Sequence, residues 1–345
     1  VTAHQHESEK PMSTPLLSVE DLTVSVEVGG KRLTALDGIS FSLQEGEARG
    51  LVGESGSGKS LTLRAIMGLL PAGARVDSGA IFFEGRDLLA DGADYQRQVR
   101  GTGITMIFQE PGVALNPVMR VGEQIYDSLM QHRNLSKKEA REYAIHLMEL
   151  VGIRDAATRL NAYPFQLSGG LRQRVMIAAG VACSPKLILC DEPTTALDVT
   201  VQAQILGLFA NLRDELDAGL LYVTHDLAVV AQMCDSLTVL YSGKVMESAG
   251  SMRSVFATPR HPYTEALLDA TPRIEGPVGR LRAIPGMAPS VVDRPEGCPF
   301  SPRCAYATHD CRVGDIPQLN VGAEWTAACL HPVSQMSLEP KAANA

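Results

Sequence analysis

Gly53-Glu54-Ser55-Gly56-Ser57-Gly58-Lys59-Ser60 satisfies the pattern G-x-x-x-x-G-K-[ST], and its setting decides the fold. Glu47 to Val52 reads as a short strand entering this loop, and Leu61 to Leu70 as an apolar helix leaving it. The glycines let successive backbone N–H groups curve around phosphate oxygens, where a Cβ would obstruct them. The helix that follows aims its first N–H groups at the same anions. Lys59 supplies a point charge between the phosphates, and the Ser60 hydroxyl is placed to ligate Mg²⁺. A chance Gly/Ser turn would lack the strand before it and the helix after it. The segment from Gly53 through Leu61 is therefore read as the phosphate-binding part of a nucleoside triphosphate site.

Outward from this loop, strands and helices alternate. Leu17, Val19 and Leu22 to Val28 read as strand, Gly29-Gly30 as a turn, and Ile39-Phe41-Leu43 as strand again. Ala80 to Phe83 followed by Glu84-Gly85 suggests a further strand and turn. Residues 111–165 become mostly helical, with a capping box at Ser136 and Glu139 before Ala140, Tyr143, Ala144, Leu147 and Val151 at helical spacing. Alternation returns through Leu187 to Leu189, Gln202 to Leu212, Leu220 to Val223 and Leu237 to Leu240. This is the rhythm of an α/β fold with a mostly parallel sheet and a helical insertion.

Three of these strands end in polar groups. Lys186 to Cys190 is an apolar strand ending in Asp191-Glu192, which suits Asp191 to Mg²⁺ and Glu192 to polarising an attacking water. Tyr222-Val-Thr ends in His225, a γ-phosphate contact or an orienter of Glu192. Ile104 to Phe108 ends in Gln109, whose amide could sense Mg²⁺ and water. A lone acidic pair or a lone His is more often structural, but a phosphate loop in the same chain reverses that weighting.

Bulk properties narrow the class. The chain has 345 residues and a formal charge of −8, which argues against a protein that wraps nucleic acid. The richest apolar run, Val175 to Cys190, is broken by Ser184, Pro185 and Lys186 and is too short to span a bilayer. Val1 to Pro15 is polar, without a signal-peptide pattern, so the chain reads as cytosolic with any membrane role exercised through partners. The native start is read as Val1 or Met12, and His4 and His6 belong to a polar tail. Cys183, Cys190 and Cys234 sit among apolar neighbours and read as small core residues.

Leu167-Ser168-Gly169-Gly170-Leu171-Arg172-Gln173-Arg174 opens a second long helix with a second anion-suited N-terminus. With the loops above, the chain resembles the nucleotide-binding domain of ABC transporters over about residues 16–255. The resemblance implies that Gly53 to Ser60 is the Walker A loop, Gln109 the Q-loop and Leu167 to Leu171 the signature. It makes Asp191 the Walker B acid, Glu192 the catalytic base, Ala196-Leu197-Asp198 the D-loop and His225 the switch histidine. Ser168, Gly169 and Gly170 would close on the γ-phosphate held by a partner domain, so each ATP site is shared between two chains.

Finer motifs are similar to those of oligopeptide/dipeptide importers, in particular the D-type ATPase subunit that pairs with an F-type one. They are Gln109-Glu-Pro with Leu115-Asn116-Pro117, then Arg260-His261-Pro262-Tyr263-Thr264, then the late cysteines. The resemblance implies an ATPase that powers import of di-/oligopeptides or related small solutes. Its partners would be a second ATPase subunit, two permease subunits and an extracytoplasmic binding protein, at the cytoplasmic face of a bacterial membrane. The helical stretch after Gln109 would receive the permeases' coupling helices. Two positions depart from the pattern. Leu171 stands where the widest signature has Gln. No aromatic residue precedes Phe41, so Val26 or Leu33 stands where adenine is usually stacked.

Cys298, Cys304, Cys311 and Cys329 are separated by five, six and seventeen residues. Disulfides are disfavoured in a reducing cytosol. Zinc usually shows tighter knuckles, although His309 and His331 could add ligands. Four thiolates on a loop-rich module suit a [4Fe–4S] cluster, and the resemblance to D-type subunits favours it over zinc.

The expected division is a disordered tail over 1–15, an ABC ATPase domain over 16–258 with a helical subdomain about 111–170, a small cysteine-rich extension over 259–332, and a disordered tail over 333–345. A soluble ABC ATPase uncoupled from transport is the alternative. Translation-type members usually carry two such domains and repair-type members long insertions, and neither is visible here. A P-loop kinase with a metal-binding tail is opposed by Leu167 to Leu171.

Overall fold

The computed structural model describes residues 14–195, 197–271 and 283–333. Met12, His4, His6, Ala196, most of the 1–15 and 333–345 segments, and part of the Pro/Gly-rich connection lie outside the described residues.

β1 (Leu17–Val28) and β2 (Lys31–Leu43) form a hairpin in which Val28 faces Lys31 across Gly29-Gly30. Both glycines have positive φ, 57° and 74°, the geometry a two-residue hairpin loop demands. The chain then enters β3 (Ala48–Val52), the phosphate loop and α1 (Lys59–Ile66). β4 (Arg75–Phe83) pairs with the other side of β1, and β5 (Arg86–Asp87) turns back on it. These four strands make an antiparallel sheet in the order β2-β1-β4-β5.

α1 starts two residues before the helix read from sequence and ends four residues short of Leu70. Gly68 causes the early stop. It adopts φ +62°, its N–H donates to Ala65 O, and the Leu69 N–H donates to Arg64 O. This is the paired closure of a left-handed C-terminal cap, which a periodicity count passes over.

After α2 (Gly92–Val99) and β6 (Ile104–Ile107), the helical stretch consists of α3 (Pro111–Ala114), α4 (Val121–Arg133), α5 (Lys137–Leu150) and α6 (Ala156–Arg159). The expected capping box is present. Ser136 Oγ accepts from Glu139 N at 3.4 Å, and Glu139 Oε2 accepts from Ser136 N at 2.9 Å. Ser136→Ala is expected to lower stability by about 1 kcal/mol, read as a small drop in the thermal midpoint.

α7 (Gly169–Val181), β7 (Leu187–Asp191), α8 (Val199–Leu216), β8 (Gly219–Thr224), α9 (Leu227–Met233), β9 (Ser236–Tyr241) and β10 (Lys244–Ala249) complete the strand–helix alternation. α10 (Met252–Ala257) and α11 (Pro262–Ala270) follow, and two short strands, β11 (Leu319–Gly322) and β12 (Trp325–Ala327), end the described chain. The large sheet runs β11-β12-β10-β9-β3-β8-β7-β6. Its β9-β3-β8-β7-β6 part is parallel, while β10, β12 and β11 add antiparallel strands at one edge. Periodicity fades after Pro259, so β11 and β12 are not legible locally. β12 pairs along the open edge of β10, and β11 pairs along β12.

Strands β3, β6, β7, β8 and β9 are buried along their whole length, so both faces of the parallel sheet are covered. Within β7, Leu187 and Leu189 join the core shared with α1 and the antiparallel sheet, whereas Ile188 and Cys190 join the core shared with α7, α8 and the helical stretch. Cys190 and Cys234 are buried as expected, but Cys183 is only half-buried, with its thiol 3.6 Å from Ser128 O.

Candidate functional site

Sheet register explains why distant residues meet. In the order β3-β8-β7-β6, Val52 pairs with Thr224, Asp191 with Val223, and Ile107 with Cys190. The residues just beyond those ends are Gly53, His225, Glu192 and Phe108-Gln109. Four parallel strands thus release their polar groups at one carboxyl edge, where open α/β sheets bind ligands.

The phosphate loop is held by steric necessity. A Cβ on Gly53 would lie 2.1 Å from Leu240 O and 2.6 Å from Ser57 Oγ. Gly58 is the N-cap of α1 at φ 105°, and no side chain caps the helix. No acidic residue stands in its first turn, so its leading N–H groups are left to an anion. Lys59 Nζ donates to the carbonyls of Gly53 and Glu54, at 2.7 and 3.0 Å, and lies 3.8 Å from Glu192 Oε1. Burial lowers the Lys59 pKa, opposed by the nearby Glu192 and Asp191 charges. The Ser57 hydroxyl is buried and has no hydrogen-bond partner among the described residues.

Ser60 Oγ donates to Asp191 Oδ1 at 2.7 Å, which places hydroxyl and carboxylate side by side as a pair for a hard cation. Burial raises the Asp191 pKa, and the Ser60 hydrogen bond works against it. Glu192 stands at φ 45°, with its N–H donating to Val223 O at 3.1 Å. Its Oε2 accepts from Thr195 Oγ1 at 2.9 Å and lies 3.1 Å from His225 Nδ1. Of the two roles read for His225, γ-phosphate contact or orienter of Glu192, the contact present here is the one to Glu192. Thr195 has no local signal, because no spacing rule marks a residue three positions after a strand-end carboxylate.

Other expected site residues stand apart. Gln109 is exposed and makes no side-chain hydrogen bond among the described residues. Ser168 caps α7, accepting from Leu171 N at 3.4 Å, and both Ser168 and Gly169 are exposed while Gly170 is half-buried. Asp198 caps α8 through Val201 N at 2.9 Å and is exposed. None of these is hydrogen-bonded to the chain's own phosphate loop.

Cys298, Cys304, Cys311 and Cys329 line one small cavity together with His261 and His331. Burial pushes the Cys304 thiol up to about 11 and the Cys329 thiol up to about 12. Four sulfurs are gathered, yet among the described residues no three His, Cys, Asp or Glu groups are arranged to hold a metal ion. His309 does not line the cavity, and its Nδ1 lies 3.8 Å from exposed Asp310. His261, not singled out as a cavity residue from sequence, has its Nε2 4.0 Å from Cys298 Sγ.

Residues 36–195 match the family model of the ABC transporter, and residues 246–311 match that of the oligopeptide/dipeptide transporter C-terminal region. The chain is 45% identical over 325 residues to the oligopeptide transport ATP-binding protein OppD of Escherichia coli, covering 93% of this chain and 94% of that protein. It is 46% identical to the dipeptide transport ATP-binding protein DppD of Bacillus subtilis, covering 84% and 86% of the two chains. Among solved structures, the dimeric post-hydrolysis state of the ATP-binding cassette MJ0796 bound to ADP and Pi superposes with a TM-score of 0.60 at 28% identity. That match covers 66% of this chain and 96% of the other. The cbiO1 protein of Clostridium perfringens gives 0.60 at 27% identity, covering 71% and 92%.

Proposed function

We propose that this chain, which belongs to the ABC transporter family among its oligopeptide and dipeptide transport ATP-binding proteins, binds and hydrolyses ATP to power an importer of di-/oligopeptides or related small solutes. The observation that carries the reading is the junction of Lys59, Ser60, Asp191, Glu192 and His225 at one edge of the parallel sheet.

Lys59 leaves the carbonyls of Gly53 and Glu54 for the phosphates of ATP, joined by the free N–H groups at the start of α1. Ser60 and Asp191 would hold Mg²⁺, with Gln109 joining them when the site closes, and the ion would neutralise phosphate charge. Glu192 accepts the proton of the attacking water, and His225 and Thr195 fix the direction of its carboxylate. Exposed Ser168, Gly169 and Asp198, with half-buried Gly170, serve the nucleotide of a second ATPase subunit, so two chains complete two sites.

Among the described residues no helix is long and apolar enough to cross a membrane. The proposed attachment is peripheral, through two permease subunits that receive substrate from an extracytoplasmic binding protein. The ATPase domain takes in residues 16–258, and residues 259–332 form the C-terminal extension. Its four cysteines are proposed to hold a [4Fe–4S] cluster, with zinc the competing occupant, on the strength of four cysteines lining one cavity that His261 and His331 also line.

The test is Mg²⁺-dependent ATP hydrolysis by the chain assembled with its permeases, stimulated by loaded binding protein. Hydrolysis without association with membrane subunits would favour a soluble ABC ATPase. For the cysteines, anaerobically purified protein is expected to be coloured and to contain iron and sulfide. A colourless, zinc-loaded protein would sink the cluster.

A further inference from the structure

Glu54, inside the phosphate loop, is tied to a residue 249 positions later. Arg303 Nη1 donates to Glu54 Oε2 at 2.7 Å and Arg303 Nη2 to Glu54 Oε1 at 3.1 Å, a two-pronged pair. The same guanidinium donates to Tyr241 Oη at 3.0 Å and to Pro285 O at 2.8 Å, so its fork is fixed from three directions. Its side chain is 7% exposed against 27% for Glu54. On the backbone side, Glu54 N donates to Tyr263 Oη at 3.0 Å. Tyr241, Tyr263 and Phe300 pack ring to ring beneath this arrangement, with centroids 4.6 to 5.4 Å apart. Meanwhile the Glu54 carbonyl is one of the two that hold Lys59.

We infer that Arg303, from the C-terminal extension, is a positioning residue for the phosphate loop, acting through Glu54. The inference rests on the nucleotide-binding reading of Gly53 to Ser60. An arginine fixed by this many partners restrains the Glu54 side chain, while Tyr263 restrains its N–H. The loop is thereby held in an anion-binding curve before nucleotide arrives. Arg303 also neutralises, at hydrogen-bond distance, a carboxylate that stands in the loop beside Lys59. Arg303 touches neither the nucleotide nor the attacking water, so its loss affects binding and not the chemical step.

The experiment uses the chain assembled with its second ATPase subunit and permeases, a fluorescent Mg²⁺–ATP analogue and steady-state hydrolysis. Arg303→Ala is expected to raise Kd and KM about tenfold, the loss of one charge-assisted anchor, with kcat at saturation within about twofold of the parent. Glu54→Gln alters only the loop side of the pair and is expected to raise Kd by a similar factor, which keeps the test decisive if Arg303→Ala folds poorly. The double variant is expected to bind no more weakly than Arg303→Ala alone, because the two side chains act as one unit. Unchanged Kd in either single variant, a full multiplication of the two effects, or a fall in kcat with KM unmoved would overturn the assignment. Lys59→Ala separates the two readings. If the parent binds the analogue no better than Lys59→Ala does, the nucleotide reading itself fails. If only the Arg303 and Glu54 variants bind like the parent, the positioning role alone fails.

Discussion

Glu192→Gln is expected to lower ATP turnover by about 10²- to 10⁴-fold while ATP binding persists, the range over which a positioned general base acts. The substitution changes one atom in a site that leaves little freedom. Glu192 is 16% exposed on its side chain, receives a hydroxyl hydrogen bond from Thr195, and faces His225 Nδ1 at 3.1 Å. Its left-handed backbone, φ 45°, is fixed by the N–H bond to Val223 O in the neighbouring strand. Gln keeps the length and an oxygen for Thr195, but it cannot take a proton from water. Binding of a fluorescent ATP analogue followed by single-turnover hydrolysis separates the two effects. Turnover within about tenfold of the parent would move the base elsewhere.

Gly53→Ala is expected to destabilise the chain by about 3 kcal/mol, at the upper end of ordinary overpacking, and to weaken nucleotide binding with it. The added methyl would lie 2.1 Å from Leu240 O, a backbone atom of β9 whose residue is paired with Val245 on one side. Leu240 O belongs to the backbone and cannot swing aside as the Ser57 hydroxyl can, so the loop must shift. A shift moves the Gly53 and Glu54 carbonyls that seat Lys59. Gly56→Ala is the control. Its φ is +80° but nothing lies within 4 Å of the built Cβ, so only the backbone conformation is penalised, by about 1 kcal/mol. Thermal unfolding and analogue binding read both variants. Equal losses at the two positions would mean that contact with β9 is not what fixes the loop.

The individual functional segments were legible because each is local. A Gly-rich loop between a strand and a helix, an apolar strand ending in Asp191-Glu192, and a second ending in His225 all declare themselves over about ten residues or fewer. Ser168-Gly-Gly announces α7 in the same way, and Ser168 does cap that helix. Where the reading slipped, the controlling contact was again specific. Periodicity carried α1 on to Leu70, but a left-handed Gly68 closes it at Ile66. Thr195 became part of the site only through the turn that brings its hydroxyl onto Glu192.

A tight glycine-rich turn carrying a lysine charge is written into Gly53 to Ser60 locally, since steric freedom at the glycines and the charge of Lys59 are properties of the residues in any such turn. What that loop stands against is set by tertiary pairing. The order β3-β8-β7-β6 brings Asp191, Glu192 and His225 to it. The β9 backbone makes Gly53 obligatory, and the C-terminal extension reaches back with Arg303. These contacts join positions dozens to hundreds of residues apart. They arise from strand pairing and the burial of two sheet faces, and local spacing carries no record of them.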